Sequence, residues 1–150
     1  MKICGIDDAG RGSMIGPLVI AGVSIEKRNL KKLKAIGVRD SKKLTPKKRE
    51  ILYKKIIKIV DSYYVVRITP QVIDRSVINH NLNHLEARNM AKIVLKLKSQ
   101  ISYVDSCDVD YKRFGKEISS LSSNARIFFS YSIFLAAKIK RALMQKGQHS

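Results

Sequence analysis

A chain of 150 residues is long enough for one ordinary domain with a buried core, and its 45% hydrophobic and 28% charged residues exclude a disordered chain. Its 30 Lys and Arg against 12 Asp and Glu give a formal net charge of +18, which attracts polyanions such as nucleic acids. A merely solvated lysine-rich surface would have the same composition, so charge alone does not decide between these two interpretations.

The sequence carries no signal for secretion or membrane insertion. The N-terminal MKICGIDD reaches acidic residues before an apolar stretch long enough for a signal peptide, and no apolar run approaches the roughly 18 residues of a membrane span. We therefore predict a cytoplasmic protein that does not associate with membranes. Separately, we expect a monomer. Cys4 and Cys107 are too few and too far apart for a disulfide framework or a zinc site, so we predict reduced, buried thiols.

The first part of the chain predicts two strands followed by a helix. Residues 2–7 and 17–25 are short runs rich in Val and Ile, as in buried strands. Thr45 and Pro46 then form an N-cap and a first-turn proline, and apolar residues at helical spacing extend the predicted helix over 46–60.

The second part alternates strands and helices. Residues 63–68 predict a third strand, Pro70 opens a short helix, and the apolar spacing from Leu82 to Leu97 predicts a longer helix. Residues 101–105 predict a further short strand that ends in an aspartate. The order β-β-α-β-α-β predicts one mixed α/β domain.

Carboxylates stand at the ends of two strands that we expect to lie side by side. Asp7 and Asp8 end the first strand, and Asp105 ends the strand over 101–105. Singly, each is explained by a turn before glycine or by helix capping. Together, in so basic a protein, they predict a Mg²⁺ site, because like charges are costly to cluster without a cation and Mg²⁺ prefers hard oxygen ligands.

Three motifs follow one another along the chain. They are G-I-D-D-A-G-R-G-x-x-x-G-P from Gly5, D-S-K-K-L at 40–44 followed by T-P-K-K-R-E, and Y-V-D-S-C-D-V at 103–109. In order and spacing they resemble the motifs of the ribonuclease HII family, over roughly residues 3–127. The resemblance implies a ribonuclease H-like fold, in which helices flank a mixed β-sheet within a single domain.

The same resemblance implies a metal-dependent endonuclease that serves DNA replication and repair. Members of the family cut the RNA strand of RNA–DNA hybrids and ribonucleotides embedded in duplex DNA, leave 3′-hydroxyl and 5′-phosphate ends, and depend on Mg²⁺ or Mn²⁺. Asp7, Asp8 and Asp105 match three of the four metal-binding catalytic carboxylates of the family. Asp8 stands where the family usually has glutamate, which keeps the charge but shortens the reach by one methylene.

The Gly10-Arg11-Gly12 turn matches the family's contact to the ribonucleotide at an RNA-to-DNA junction. Glycines expose peptide groups that can hydrogen-bond a 2′-hydroxyl, which both donates and accepts. Without the neighbouring motifs, the same residues would be interpreted as a tight turn with a solvated arginine.

A basic segment matches the family's binding site for the nucleic-acid backbone, with Ser41, Lys42 and Lys43 as its contacts. Residues 47–49, which are Lys, Lys and Arg, extend the charge into the first turn of the predicted helix. Cations there oppose the helix dipole, so a phosphate contact explains them better than helix stability does.

His80 and His84 are four residues apart and could face one side of a helix as zinc ligands. The segment HNLNH lacks the glutamate of H-E-x-x-H, and no third ligand is evident. We therefore predict exposed or capping histidines.

The C-terminal segment departs from the family pattern. We expect residues 1–127 to form the catalytic core and 128–150 to form a divergent helix and frayed tail, with a strand near 124–129 where the two meet. Residues 132–143 match the family only loosely, Ala142 stands where the fourth carboxylate is expected, and Glu117 is the last acidic residue. Truncation, a frameshift and true divergence all stay open. The sequence thus predicts either a weakened endonuclease or an inactive nucleic-acid-binding remnant.

Overall fold

The computed structural model describes residues 1–9, 18–37, 45–104, 111–123 and 125–129, and the statements below concern these ranges. Their strands are β1 (Lys2–Ala9), β2 (Leu18–Glu26), β3 (Ser62–Ile68), β4 (Ile101–Val104) and β5 (Arg126–Phe129). Their α-helices are α1 (Leu30–Ala35), α2 (Pro46–Ile59), α3 (Pro70–Ile78), α4 (Leu82–Leu97) and α5 (Tyr111–Leu121), with a single 3₁₀ turn at Lys27–Asn29 before α1.

The five strands form one mixed sheet in the order β3-β2-β1-β4-β5. β1, β2 and β3 make an antiparallel meander. β4 then returns to the other side of β1 and pairs with it in parallel, and β5 pairs in parallel with β4. The predicted mixed α/β architecture is confirmed, as is the prediction that the first strand and the strand beginning at Ile101 are neighbours.

Helices pack on both faces of the sheet, and each face has its own apolar core. One core includes Ile6, Ile20 and Val104 of the sheet, Met90 and Ile93 of α4, and Phe114 and Ile118 of α5. The other includes Ile3, Ala21, Val23 and Ile25 of the sheet, Leu33 of α1, and Leu52, Tyr53 and Ile56 of α2. Strand alternation assigns successive residues of β1 to the two cores, so both faces of this central strand are buried.

The helix starts follow the local signals in the sequence. The Thr45 hydroxyl accepts a hydrogen bond from the backbone N–H of Lys48 at 3.2 Å, and Pro46 occupies the first turn. Thr69 caps α3 in the same way, with Pro70 behind it. None of the helices in the described ranges is long and apolar enough to cross a lipid bilayer.

Two helices were not predicted from the sequence. α1 has only six residues, and Leu33 is its one buried side chain, so it offers no sustained apolar pattern. In α5 the core residues Phe114 and Ile118 are four apart, but Gly115 and two serines interrupt the pattern. Both helices depend on packing against the rest of the fold more than on intrinsic propensity.

Cys4 is buried on β1, as predicted, with 1% of its surface exposed. Burial raises the pKa of its thiol to about 12. The thiol is therefore protonated at neutral pH and a poor nucleophile, which agrees with a structural role. Cys107 lies outside the described residues.

Gly22 of β2 allows α4 to lie directly against the sheet. A Cβ placed on Gly22 would overlap Cγ2 of Ile93 and would lie 3.1 Å from Cδ1 of Leu97. We expect Gly22→Ala to lower the free energy of unfolding by about 1–3 kcal/mol, measured by urea denaturation, because the core is already filled.

A double-mutant cycle separates this clash from a general effect of removing a glycine. Ile93→Leu removes the branched methyl group, so the double variant should lose less stability than the sum of the two single variants. Gly37→Ala is the matched control, because its added Cβ meets nothing within 4 Å and its cost arises from a φ of 86°. Strict additivity of Gly22→Ala and Ile93→Leu would contradict the packing explanation.

Candidate metal and nucleic-acid site

The carboxyl ends of β1 and β4 lie side by side in the middle of the sheet. In the parallel register Ile6 of β1 is opposite Val104, the last residue of β4. Asp7 follows Ile6 and is paired on its other side with Ala21 of β2. Asp105 is the next residue after Val104 in sequence and lies outside the described residues.

The Asp7 side chain is buried, with 1% of its surface exposed. By strand alternation it shares a face with Ile3, which belongs to the core beneath α1 and α2. A carboxylate in such a place costs free energy unless hydrogen bonds or a cation compensate it. A buried carboxylate at the end of the central strand is therefore a strong candidate for a functional group.

The oxygen chemistry of this end of the sheet suits a hard divalent cation. Asp8 is the next residue of β1 and is paired with Ile20 of β2, so the backbone presents two successive aspartates. Carboxylate oxygens are the ligands that Mg²⁺ and Mn²⁺ prefer in proteins. Among the residues that the structure describes, no three His, Cys, Asp or Glu side chains gather into a metal site. The Asp8 side chain and all of Asp105 fall outside that description.

The other predicted contact residues also lie outside the described ranges. Gly10, Arg11 and Gly12 belong to the connection between β1 and β2. Ser41, Lys42 and Lys43 belong to the connection between α1 and α2. Their assignment stays a prediction.

The basic start of α2 lies within the described chain. Lys47 and Lys48 are exposed in its first turn, Arg49 is half-buried, and the first turn has no acidic residue. Positive charge at this end is unfavourable for the helix dipole, so these cations reduce helix stability unless an anion binds them.

The two histidines occupy different environments. Nδ1 of His84 on α4 contacts Oε1 of Glu117 on α5, and this pair joins the two helices. His80 lies in the turn before α4, where its φ of 55° is left-handed. The contact to Glu117 gives His84 a role in helix packing.

Glu86 is a buried carboxylate that the sequence reasoning did not single out. It lies on α4 and is 0% exposed. Because α4 runs from the end of β3 back to the start of β4, its first half lies toward the same end of the sheet as Asp7. Glu86 is four residues from both Leu82 and Met90, so helical spacing alone would have assigned it to the apolar face.

Comparisons with known proteins point to one family. The family model for ribonuclease HII matches residues 4–144. A ribonuclease HII from Cenarchaeum symbiosum (strain A) is 55% identical over 122 residues, which are 81% of this chain and 60% of that protein. The chain spans about half the length of further ribonuclease HII relatives, between 51% and 54%.

Solved structures of the same family superpose on nearly the whole chain. The PCNA:RNase HII complex from Archaeoglobus fulgidus matches with a TM-score of 0.85 at 32% identity, over 98% of this chain and 73% of that chain. Ribonuclease H2 from Pyrococcus horikoshii OT3 matches with a TM-score of 0.83 at 41% identity, over 99% and 71%. These likenesses confirm the predicted ribonuclease H-like fold.

The buried Asp7 gives a stability test that does not require cleavage. Asp7→Asn keeps the shape of the side chain and removes its charge, so in EDTA it tests how the carboxylate itself affects Tm. Added Mn²⁺ should raise Tm of the unmodified protein and leave the variant unchanged, as measured by calorimetry.

Asp74→Asn is the matched control, since Asp74 is exposed on α3 and loses the same charge. It should change Tm little, and its response to Mn²⁺ should equal that of the unmodified protein. A drop in Tm for Asp7→Asn, together with an intact Mn²⁺ response, would identify the Asp7 carboxylate as purely structural.

Proposed function

The chain belongs to the ribonuclease HII family, and we propose that it is a metal-dependent endonuclease acting on the RNA strand of RNA–DNA hybrids and on ribonucleotides embedded in duplex DNA. The observation that carries this proposal is the buried Asp7 at the carboxyl end of β1, beside the strand whose next residue is Asp105. A strongly basic chain that buries a carboxylate at one sheet end has the charge distribution of a polyanion-binding metalloenzyme.

Asp7, Asp8 and Asp105 are the proposed metal ligands, with Mg²⁺ or Mn²⁺ as the cation. When bound, paired cations of this kind activate water and stabilise the leaving oxygen of a phosphodiester. The contribution of the protein is to hold the carboxylates in place through the β1–β4 pairing and to exclude bulk water from Asp7. Its positive field raises the local concentration of nucleic acid.

Substrate selection is assigned to the Gly10-Arg11-Gly12 turn, which directly follows the strand that carries Asp7 and Asp8. Peptide groups without a neighbouring Cβ can approach a ribose closely, and a 2′-hydroxyl is the feature that distinguishes RNA from DNA. Arg11 would contribute a phosphate contact.

Duplex binding is assigned to Ser41, Lys42 and Lys43, with the exposed Lys47 and Lys48 continuing the positive surface along α2. Lys47 and Lys48 lie at the N-terminus of α2, where positive charge is unfavourable for the helix dipole. A contact with phosphate would compensate this cost and therefore supports the assignment. Such contacts fix the register of the substrate and carry no sequence information.

The proposed level of activity is low. Ala142 stands at the position matched to the fourth carboxylate. Loss of one group that positions the reacting atoms can lower the reaction rate by orders of magnitude. The division into a catalytic core over 1–127 and a divergent 128–150 segment belongs to the same proposal.

Cleavage of a DNA duplex that contains one ribonucleotide tests the proposal directly. We expect metal-dependent binding with weak cleavage, which increases when Ala142→Asp restores a carboxylate and is abolished by Asp7→Asn. An all-DNA duplex of the same sequence serves as the substrate control. The products are followed on denaturing gels with and without Mg²⁺ or Mn²⁺.

The outcomes separate the two candidate functions. No cleavage by either the unmodified chain or Ala142→Asp, with duplex binding intact, would favour the inactive nucleic-acid-binding remnant. Fast cleavage by the unmodified chain would show that the fourth ligand lies elsewhere, and Asp108 would be tested first. Cleavage that survives Asp7→Asn would refute the proposed metal site.

Salt dependence tests the assigned duplex contacts. Each phosphate contact contributes a slope of about −0.9 to a plot of log affinity against log salt. Lys42→Ala and Lys43→Ala should each weaken duplex binding and flatten the slope by about one contact. Lys92→Ala is the control, because Lys92 is exposed on α4, which packs on the opposite face of the sheet. Slopes equal to that of the control would assign D-S-K-K-L a structural role.

A further inference from the structure

A groove with an apolar floor lies between the end of α1 and the first half of α2. Its volume is about 200 Å³. Its described lining consists of Ile36 and Gly37 after α1, and Lys48, Ile51, Leu52 and Lys55 of α2. This volume is below the roughly 300–1,000 Å³ of typical small-molecule pockets, so the groove fits one or two side chains.

The α2 side of the groove is a single stripe along the helix. Lys48, Ile51 and Lys55 are separated by three and four residues, so they lie on one face. Ile51 is 49% exposed between the two exposed lysines, whereas Leu52 is buried beneath them. An exposed isoleucine contributes little to the core, but it completes an apolar contact surface with Ile36.

The other wall depends on the way α1 ends. The N–H of Gly37 donates to the carbonyl of Lys34 at 3.1 Å, and the φ of Gly37 is 86°. This left-handed glycine ends the helix and leaves no side chain over the groove.

The surroundings of the groove are strongly positive. Residues 27–37 and 45–59 contain eleven Lys and Arg and one acidic residue, Glu50. Among the described residues, neither the Lys48 nor the Lys55 ammonium group forms an ion pair. A partner with carboxylates would therefore gain new pairs without breaking existing ones.

We propose that this groove binds an acidic peptide segment of a partner protein, with one aliphatic side chain between Ile36, Ile51 and Leu52 and flanking carboxylates on Lys48 and Lys55. A nucleic-acid duplex would use the two lysines but leave the apolar floor in contact with water. A peptide with a central leucine uses both features, because an apolar anchor within a charged rim is how small docking sites combine affinity with specificity.

The direct test uses a fluorescein-labelled octapeptide with two central leucines flanked by aspartates and glutamates. Its fluorescence anisotropy is titrated with the full chain at about 0.1 M salt, where charges farther apart than about 10 Å are screened. Lys48→Glu and Lys55→Glu should each weaken binding about tenfold, since each replaces an attraction with a repulsion. Ile51→Ser should weaken it by a similar factor through loss of the apolar contact.

Lys54→Glu is the matched control, because Lys54 is exposed on the same helix, undergoes the same charge change and does not line the groove. It should change peptide affinity less than threefold, as expected for a residue outside the contact. A peptide with serines in place of the leucines should bind about tenfold more weakly to the unmodified chain.

Several results would overturn the proposal. Equal losses for Lys54→Glu and Lys48→Glu would mean that the peptide responds only to net charge. Equal binding of the serine peptide would remove the apolar anchor. Lys48 also belongs to the proposed duplex surface, so Lys55 is the lysine that separates the two ligands. If Lys55→Glu reduced duplex affinity far more than Lys54→Glu, and Ile51→Ser left peptide affinity unchanged, the groove would belong to nucleic acid. None of these binding measurements requires cleavage. The test therefore remains valid even if the proposed nuclease activity is not found.

Discussion

The parallel pairing of β1 with β4 is the contact on which the rest of the architecture depends. It converts an antiparallel meander into a mixed sheet, and it makes β1 the central strand, with neighbours on both sides and helices over both faces. A strand in that position can hold a carboxylate such as Asp7 with 1% exposure, because the backbone around it is fixed by ladders to both β2 and β4. The candidate site is therefore a property of the sheet centre.

The charged residues are also distributed according to the layers of the fold. The helices α1 and α2 cover one face with a layer in which lysine and arginine greatly outnumber acidic residues. Two acidic side chains are instead buried: Asp7 faces this same side of the sheet by strand alternation, and Glu86 lies on α4, which packs on the other side. A positive exterior with carboxylates held inside favours approach by an anion and binding of a small cation at once. The exposed Ile51 among those lysines gives one part of the surface a contact that charge alone does not provide.

Local signals in the sequence were sufficient for much of the fold. The Thr-Pro pairs at 45–46 and 69–70 mark helix starts that the structure reproduces, and the Val- and Ile-rich runs mark the strands. The helices α1 and α5 were not predicted from the sequence. α1 has only six residues and α5 is interrupted by Gly115, so both have weak local patterns. The candidate site was harder to predict, since its proposed ligands Asp7 and Asp105 are about one hundred positions apart in the sequence. The residues alone suggested a metal site, and the individual roles came from the resemblance to a family.

The same pairing also has a consequence for how the chain acquires its structure. The β1–β2–β3 meander joins residues that are close in sequence, so it can assemble while the rest of the polypeptide is still being synthesised. The contact of Ile3 with Ile101 has to wait for β4, and loop closure over that distance is slow. Until then the open edge of β1 presents unpaired peptide groups. Such an edge can pair with another chain and lead to aggregation, and chaperones cover surfaces of this kind. The end of the sheet that carries Asp7 is thus expected to be among the last parts of the molecule to mature.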